Sequence, residues 1–74
     1  MPAGVQITPN VCHGKPVIAG TRVLVSTVLG ALAGGDPVQA VADDYGLTPE
    51  QVAAALAFAA ELADVPTLAY DGAA

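Results

Sequence analysis

The sequence predicts a mostly α-helical fold, in which short N-terminal β-strands, arranged as a hairpin, precede three helices. Three observations support this prediction. Residues 5–25 contain short alternating or β-branched segments separated by Gly and Pro. From Ser26 onward, apolar residues recur at the three- and four-residue spacing of amphipathic helices. Gly-containing breaks then divide the chain up to about residue 63 into three helical segments.

The chain length limits the domain organisation. Seventy-four residues make one domain, near the size at which a single core only marginally supports folding. We assign residues 1–63 to that domain, with strands and loops over 5–25 and helices over 26–63, and residues 64–74 to a C-terminal tail. The chain is 54% hydrophobic but has one Phe, two Tyr and no Trp. The core should therefore be thin, and a homodimer is expected.

Three strands are predicted in residues 5–25. The segment 5–7 alternates in polarity, 16–18 follows a Gly-Lys-Pro break, and 22–25 is β-branched and apolar. A turn at residues 19–21 should join the last two strands. Strands this short need helices or a second chain to pack against.

The first two helices should be bounded by their own cap residues. Ser26 is the expected N-cap of the first helix, which Gly34-Gly35 should end. Asp36 should cap the second helix, with Pro37 at its first position and Gln39 three residues after the cap, and Gly46 should end it. The predicted buried faces are Val28, Leu29, Leu32 and Ala33 in the first helix, and Val38, Val41, Ala42 and Tyr45 in the second.

The third helix is predicted from Thr48 to about Ala63, because Thr48-Pro49-Glu50-Gln51 has the pattern of an N-terminal capping box. Its outer stripe would carry Glu50, Ala54, Ala57 and Glu61. The predicted core face is wide and comprises Val52, Ala55, Leu56, Ala59, Leu62 and Ala63, with Phe58 at its edge. So wide an apolar arc indicates a helix covered on more than one side, by the strands or by a second protomer.

The charge balance limits the kinds of partner that the chain can bind. Two basic residues, Lys15 and Arg22, stand against seven acidic ones, which gives a formal net charge of −5. DNA-binding modules draw most of their affinity from Lys and Arg on phosphates, so this chain would repel a duplex over most of its surface. The charge favours a basic partner.

The second and third helices, joined by a short Gly-containing turn, have the outline of a helix-turn-helix. In DNA readers, the second helix of this motif presents Arg, Lys, Asn or Gln to base edges. The corresponding positions here are Glu50, Gln51, Ala53, Ala54 and Ala57. We interpret the motif as a packing unit and keep a DNA-binding transcriptional regulator, such as an autorepressor, as the alternative function.

No catalytic residue, metal site or cofactor is predicted. Cys12 beside His13 is the pair most like a nucleophile with its base, but adjacent residues on an extended segment point to opposite faces. One Cys and one His are too few for a structural zinc site within one chain, which leaves metal binding across a dimer as the open alternative. We predict that the protein is not an enzyme.

The sequence also predicts a cytoplasmic protein with no membrane association. The N-terminus lacks the basic start and apolar run of a targeting segment, and no stretch reaches the roughly 18 apolar residues that a membrane span needs. The lone Cys12 cannot form an internal disulfide, which fits a reducing compartment.

A specific motif lies in residues 11–25, Val-Cys-His-Gly-Lys-Pro-Val-Ile-Ala-Gly-Thr-Arg-Val-Leu-Val. It resembles the signature of the bacterial and archaeal family called domain of unknown function 433, and Gly-Lys-Pro followed by Gly-Thr-Arg at this spacing is its most specific part. Further segments follow in the family order, so that the resemblance covers about residues 5–63: Leu32–Gly35, Asp43–Tyr45, Leu47–Glu50 and Ala54–Ala59. The chain departs from the family between Tyr45 and Leu47, where members usually carry Pro and one further residue.

The resemblance implies a fold and a function. Members are similar to homeodomain-like helical units preceded by a small strand region, are often dimeric, and many are encoded beside a toxin with a PIN-like nuclease fold. The implied function is that of an antitoxin in a type II toxin–antitoxin pair, which binds and silences the nuclease. An acidic chain fits this role, because a nuclease carries a basic surface for nucleic acid.

Several residues of the motif have expected structural roles. Gly14 and Gly20 should adopt positive φ or allow close approach of the backbone, and Lys15, beside Pro16, should be a solvated charge at a strand edge. Thr21 and Arg22 complete the motif. Arg22 is a candidate ion-pair partner of Asp43 or Asp44, which lie in the last helical turn, where the helix dipole disfavours anions. Contact of Arg22 with a partner protein is the alternative.

The tail after Pro66 is the candidate partner-binding segment. Two interpretations stay open: the tail folds back on the core, or it stays mobile until a partner orders it. Its candidate residues are Val65, Leu68, Tyr70 and Asp71.

Overall fold

The computed structural model describes residues 4–64, and it confirms a mostly helical fold with the strands first. After two short strands, β1 and β2, come three helices, α1, α2 and α3. A 3₁₀ turn at Cys12–Gly14 separates the strands. The bounds are Val5–Gln6 for β1, Val17–Ile18 for β2, Val25–Ala33 for α1, Val38–Tyr45 for α2 and Pro49–Ala63 for α3.

The sheet has two antiparallel strands, with Val5 opposite Ile18 and Gln6 opposite Val17. The third predicted strand is reduced to one bridge between Val17 and Leu24. The strand prediction for Val25 was wrong because α1 already begins there: the carbonyl of Leu24 accepts hydrogen bonds from the amides of residues 27 and 28, at 3.1 and 3.3 Å. The segment thus changes from extended to helical at Leu24.

The predicted caps of α1 and α2 were wrong by one or two residues. Leu24 is the N-cap of α1, with φ −69° and ψ 136° and no side-chain cap bond, and Ser26 lies exposed inside the first turn. Pro37, not Asp36, is the N-cap of α2, because its ψ of 154° is extended and the helix begins one residue later. Gln39 makes no capping box; its Nε2 donates to Oδ1 of Asp43 at 3.0 Å.

The helix ends follow the sequence prediction. Gly34 caps α1, and Gly46 ends α2 in the left-handed conformation, with φ 66° and ψ 33°. The amide of Leu47 then donates to the carbonyl of Ala42 at 2.8 Å, which is the long hydrogen bond of a Schellman motif. Gly46 therefore fixes the turn that leads into α3.

The capping box of α3 is confirmed. Oγ1 of Thr48 accepts from the amide of Gln51 at 3.2 Å, and Oε1 of Gln51 accepts from the amide of Thr48 at 2.8 Å. Pro49 is the first helical residue. The amide of Gln51 also donates to the carbonyl of Thr48 at 3.0 Å, so the two side chains add to the hydrogen bonds at the helix start through the local sequence alone.

The core joins all five elements: each helix contacts the other two, and α3 also contacts both strands. Two of the four residues of α2 that were predicted to be buried are not: Val38 and Tyr45 are 40% and 39% exposed. In α3, Leu56 and Leu62 are 45% and 61% exposed. Ala33 and Ala63 are exposed as well. The buried cluster consists of Val5, Ile18, Val25, Val28, Val41, Ala42, Leu47, Val52, Ala55 and Phe58.

These errors have a common physical reason. The apolar arcs of α2 and α3 are wider than the surface that the remaining elements of residues 4–64 can cover, so the ends of each arc face outward.

No helix within residues 4–64 is both long enough and apolar enough to cross a bilayer.

Candidate partner-binding site

The Gly-Lys-Pro motif leads into β2, and the Gly-Thr-Arg motif forms the turn after β2. Residues 14–24, which contain both motifs and the bridge between Val17 and Leu24, are called the hairpin below. Oγ1 of Thr21 donates to the carbonyl of Ile18 at 2.8 Å and accepts from the amide of Val23 at 3.0 Å. The amide of Ile18 in turn donates to the carbonyl of Val23 at 2.9 Å. Gly14 and Gly20 have the positive φ that the sequence predicted, 77° and 79°. Most of the motif therefore serves the turn itself.

The hairpin is also attached to β1. The amide of Ala19 donates to the carbonyl of Gly4 at 2.8 Å, and the amide of Gly20 donates to Oε1 of Gln6 at 3.5 Å. At the other end, the amide of Val25 donates to the carbonyl of Pro16 at 3.0 Å. These bonds fix the position of Lys15 and Pro16 against the first turn of α1.

The hairpin exposes both basic side chains, Lys15 and Arg22. None of the side-chain hydrogen bonds of residues 4–64 joins Arg22 to Asp43 or Asp44; Asp43 instead accepts from Gln39. The ion pair stays a prediction, and a double-mutant cycle on Arg22 and each aspartate tests it. Additive losses of stability would reject the pair.

Cys12 and His13 do not lie on an extended segment, contrary to the premise of the sequence argument. Both have positive φ, 51° and 59°, in the 3₁₀ turn. Sγ of Cys12 donates to the carbonyl of Arg22 at 3.6 Å. Within the described part of the chain, no three His, Cys, Asp or Glu residues are grouped closely enough to hold a metal ion. The geometry gives Cys12 a contact within the fold.

An apolar groove of about 340 Å³ lies between the start of α1 and the second half of α3. Its floor includes Val25 and Phe58, which are 2% and 9% exposed. Leu62 stands at its edge, 61% exposed, and Lys15 is the charged residue among the described residues of the lining. The described residues that line the groove are Lys15, Pro16, Val25, Ser26, Leu29, Phe58 and Leu62. A segment that fits such a surface would carry apolar side chains and one acidic side chain.

The sequence prediction missed this groove. It placed Leu62 in the core and did not connect Lys15, which is exposed as predicted, with α3, because residues far apart in sequence line the groove together. The one available signal was the wide apolar arc of α3, which indicated that this helix needs a second covering surface.

The helix-turn-helix face offers little to a DNA base. In α3, Glu50, Ala53 and Ala57 are exposed, and Gln51 uses its side chain in the capping box. Ala54 is half-buried, beside Gly4. This face lacks the outward-pointing Arg, Lys, Asn or Gln of a DNA reader. The candidate residues Val65, Leu68, Tyr70 and Asp71 lie outside the described residues.

Comparison with known sequences gives two matches. Residues 5–59 match the family described as "Protein of unknown function (DUF433)". Over 54 residues, 73% of this chain, the sequence is 50% identical to a protein of Mycobacterium tuberculosis named "Putative antitoxin VapB45". The match covers 23% of that protein, so the chain spans about a quarter of the length of this curated relative.

Crystal structures similar to this fold include the following two. The X-ray structure of Rv2018 from Mycobacterium tuberculosis matches with a TM-score of 0.64 and 50% identity, over 70% of this chain and 24% of that chain. The structure of a DUF433 member protein from Anabaena variabilis matches with a TM-score of 0.72 and 36% identity, over 78% of this chain and 58% of that chain. The similarity in structure thus covers most of this chain.

Proposed function

Since the chain belongs to the DUF433 family, we propose that it is a protein-binding module, the antitoxin of a type II pair that neutralises a PIN-like nuclease toxin. The observation that carries this proposal is its 50% identity, over 73% of its length, to a relative named as an antitoxin. That relative is much longer, and the antitoxin role is extended to this chain through the shared segment.

The charge distribution supports the proposal physically. The chain has a net charge of −5, and the acidic side chains of α2 and α3 are exposed: Asp43, Asp44, Glu50 and Glu61. A nuclease needs a basic surface for nucleic acid, and an acidic protein bound there would exclude the substrate. The chain would act in the cytoplasm by binding alone, as a homodimer, without enzymatic chemistry or a cofactor.

The proposed contacts with the toxin are acidic and apolar. Asp43 and Asp44, at the end of α2, would meet basic side chains of the nuclease cleft. The segment after α3 would add apolar contacts and one carboxylate, through Val65, Leu68, Tyr70 and Asp71.

Co-expression with a PIN-like nuclease encoded by a neighbouring gene tests this function. We expect the two chains to co-purify and the purified chain to abolish RNA cleavage near a stoichiometric ratio. If the two chains do not co-purify and cleavage continues at excess antitoxin, the proposal fails.

The succession of α2, a short turn and α3 is compatible with a second function, that of a DNA-binding regulator of its own promoter. Its phosphate contacts would have to come from Lys15 and Arg22 of two protomers. A salt-dependent shift of the promoter fragment by the purified chain would support this function. The absence of a shift at low salt would remove it.

A further inference from the structure

The apolar groove between α1 and α3 opens where the chain leaves α3. Leu62 lines the groove, and Asp64, two residues later, is the C-cap of the helix, with φ −88° and ψ 43°. The next residues in the sequence are Val65 and Pro66. Pro66 lacks the amide that a helix would need and biases the residue before it towards an extended backbone. The sequence thus favours the end of α3 at Asp64, beside the groove.

We propose that, in the chain without its toxin, residues 65–71 of the same chain fold back into this groove, with Leu68 and Tyr70 as apolar anchors, so that the toxin proposed above competes with the groove for these side chains. In an extended segment, residues two apart project to the same face, so Leu68 and Tyr70 can enter the groove together. A groove of about 340 Å³ lies at the lower end of the range of ligand pockets, which suits a few side chains.

Charge complementarity selects this occupant. Asp71 is the one charged residue of the sequence from 65 to 74, and Lys15 is the one charged residue among the described residues that line the groove. Seven extended residues span roughly 23 Å at about 3.3 Å each, so the segment can follow the groove from Leu62 towards Lys15. Docking would cover Leu62, which is 61% exposed.

Tyrosine fluorescence of the full chain tests the docking without a toxin. The chain has no Trp and two Tyr, so Tyr45→Phe leaves Tyr70 as the reporter. We expect acrylamide to quench Tyr70 less than in the same chain unfolded in urea. Lys15→Glu and Leu62→Asp, each combined with Tyr45→Phe, should raise quenching towards the unfolded value, because both weaken the groove and repel Asp71.

Leu56→Asp is the matched control, because Leu56 is an exposed leucine of α3 outside the groove lining. Circular dichroism checks that each variant is folded, and Lys15→Glu, a change of an exposed side chain, keeps the test valid if Leu62→Asp unfolds. Quenching of Tyr70 equal to that of the unfolded chain would overturn the proposal. So would equal effects of Leu56→Asp, or protection that grows with protein concentration, which would indicate a second copy as the occupant.

Discussion

The Cβ of Ala54 in α3 lies 2.7 Å from the position that a Cβ would occupy on Gly4. Gly4 has φ +89°, and its carbonyl accepts the amide of Ala19 at 2.8 Å. The chain before β1, the turn after β2 and the middle of α3 therefore meet at one point. A side chain at position 4 would be unfavourable for two reasons, the backbone conformation and the contact with Ala54.

Gly4→Ala should lower the free energy of unfolding by about 1–3 kcal/mol, because it adds a strained positive φ and a clash in a packed contact. Urea unfolding followed by circular dichroism measures this loss. Gly30→Ala is the matched control, since Gly30 lies inside α1 with open space around it. The control should gain about 1 kcal/mol from helix propensity. Equal stability of Gly4→Ala and the unchanged chain would contradict the packing described here.

The capping box of α3 gives a second prediction. Thr48→Ala removes the side-chain acceptor of the Gln51 amide and should cost about 1 kcal/mol of unfolding free energy. Thr27→Ala, at an exposed position in the first turn of α1, makes the same chemical change where no side chain makes a cap bond. It should be neutral or slightly stabilising. A loss of the same size in both variants would mean that the cap contributes nothing specific.

The success and failure of the sequence predictions have a physical pattern. The start of α3 could be predicted because Thr48, Pro49 and Gln51 satisfy the helix end within four residues. Ser26 and Asp36 look like caps too, but the position of each helix start depends on longer-range features. The bridge to Val17 keeps Leu24 extended. Because Pro37 has an extended ψ, α2 begins only at Val38.

The candidate site could not be predicted in the same way. Periodicity shows which face of α3 is apolar but not how much of that face has a covering partner, so Leu56 and Leu62 were placed in the core. The groove requires Lys15 and Pro16 to lie beside Phe58 and Leu62, and only the fold of the hairpin brings them there. Tertiary contacts of this range leave no local pattern in the sequence.

Thr21 should be the most sensitive side chain of the hairpin. Thr21→Val removes the hydroxyl that bonds the carbonyl of Ile18 and the amide of Val23, and leaves a part-buried amide without this acceptor. We expect a loss of about 1–3 kcal/mol of unfolding free energy, measured by urea unfolding. Thr21→Ser keeps the hydroxyl and should restore most of the stability. If Ser is as destabilising as Val, the methyl contact rather than the hydroxyl is what matters.

The acidic end of α2 should control how fast the proposed toxin complex forms. Replacing Asp43 and Asp44 together by Asn should slow association at low salt by about tenfold, because complementary charges steer encounter. The matched control replaces Asp36 by Asn and Glu50 by Gln, two exposed acids elsewhere, and changes the net charge by the same amount. Surface plasmon resonance against the purified nuclease measures both rates.

The two double variants separate a local contact from a general charge effect. If the acidic end of α2 faces the toxin, the Asp43 and Asp44 variant associates more slowly than the control at low salt. The difference should fade at high salt, since the Debye length falls to about 3 Å at 1 M. Equal rates for the two variants would place the toxin contact elsewhere on the chain, because long-range charge alone would then account for the whole effect.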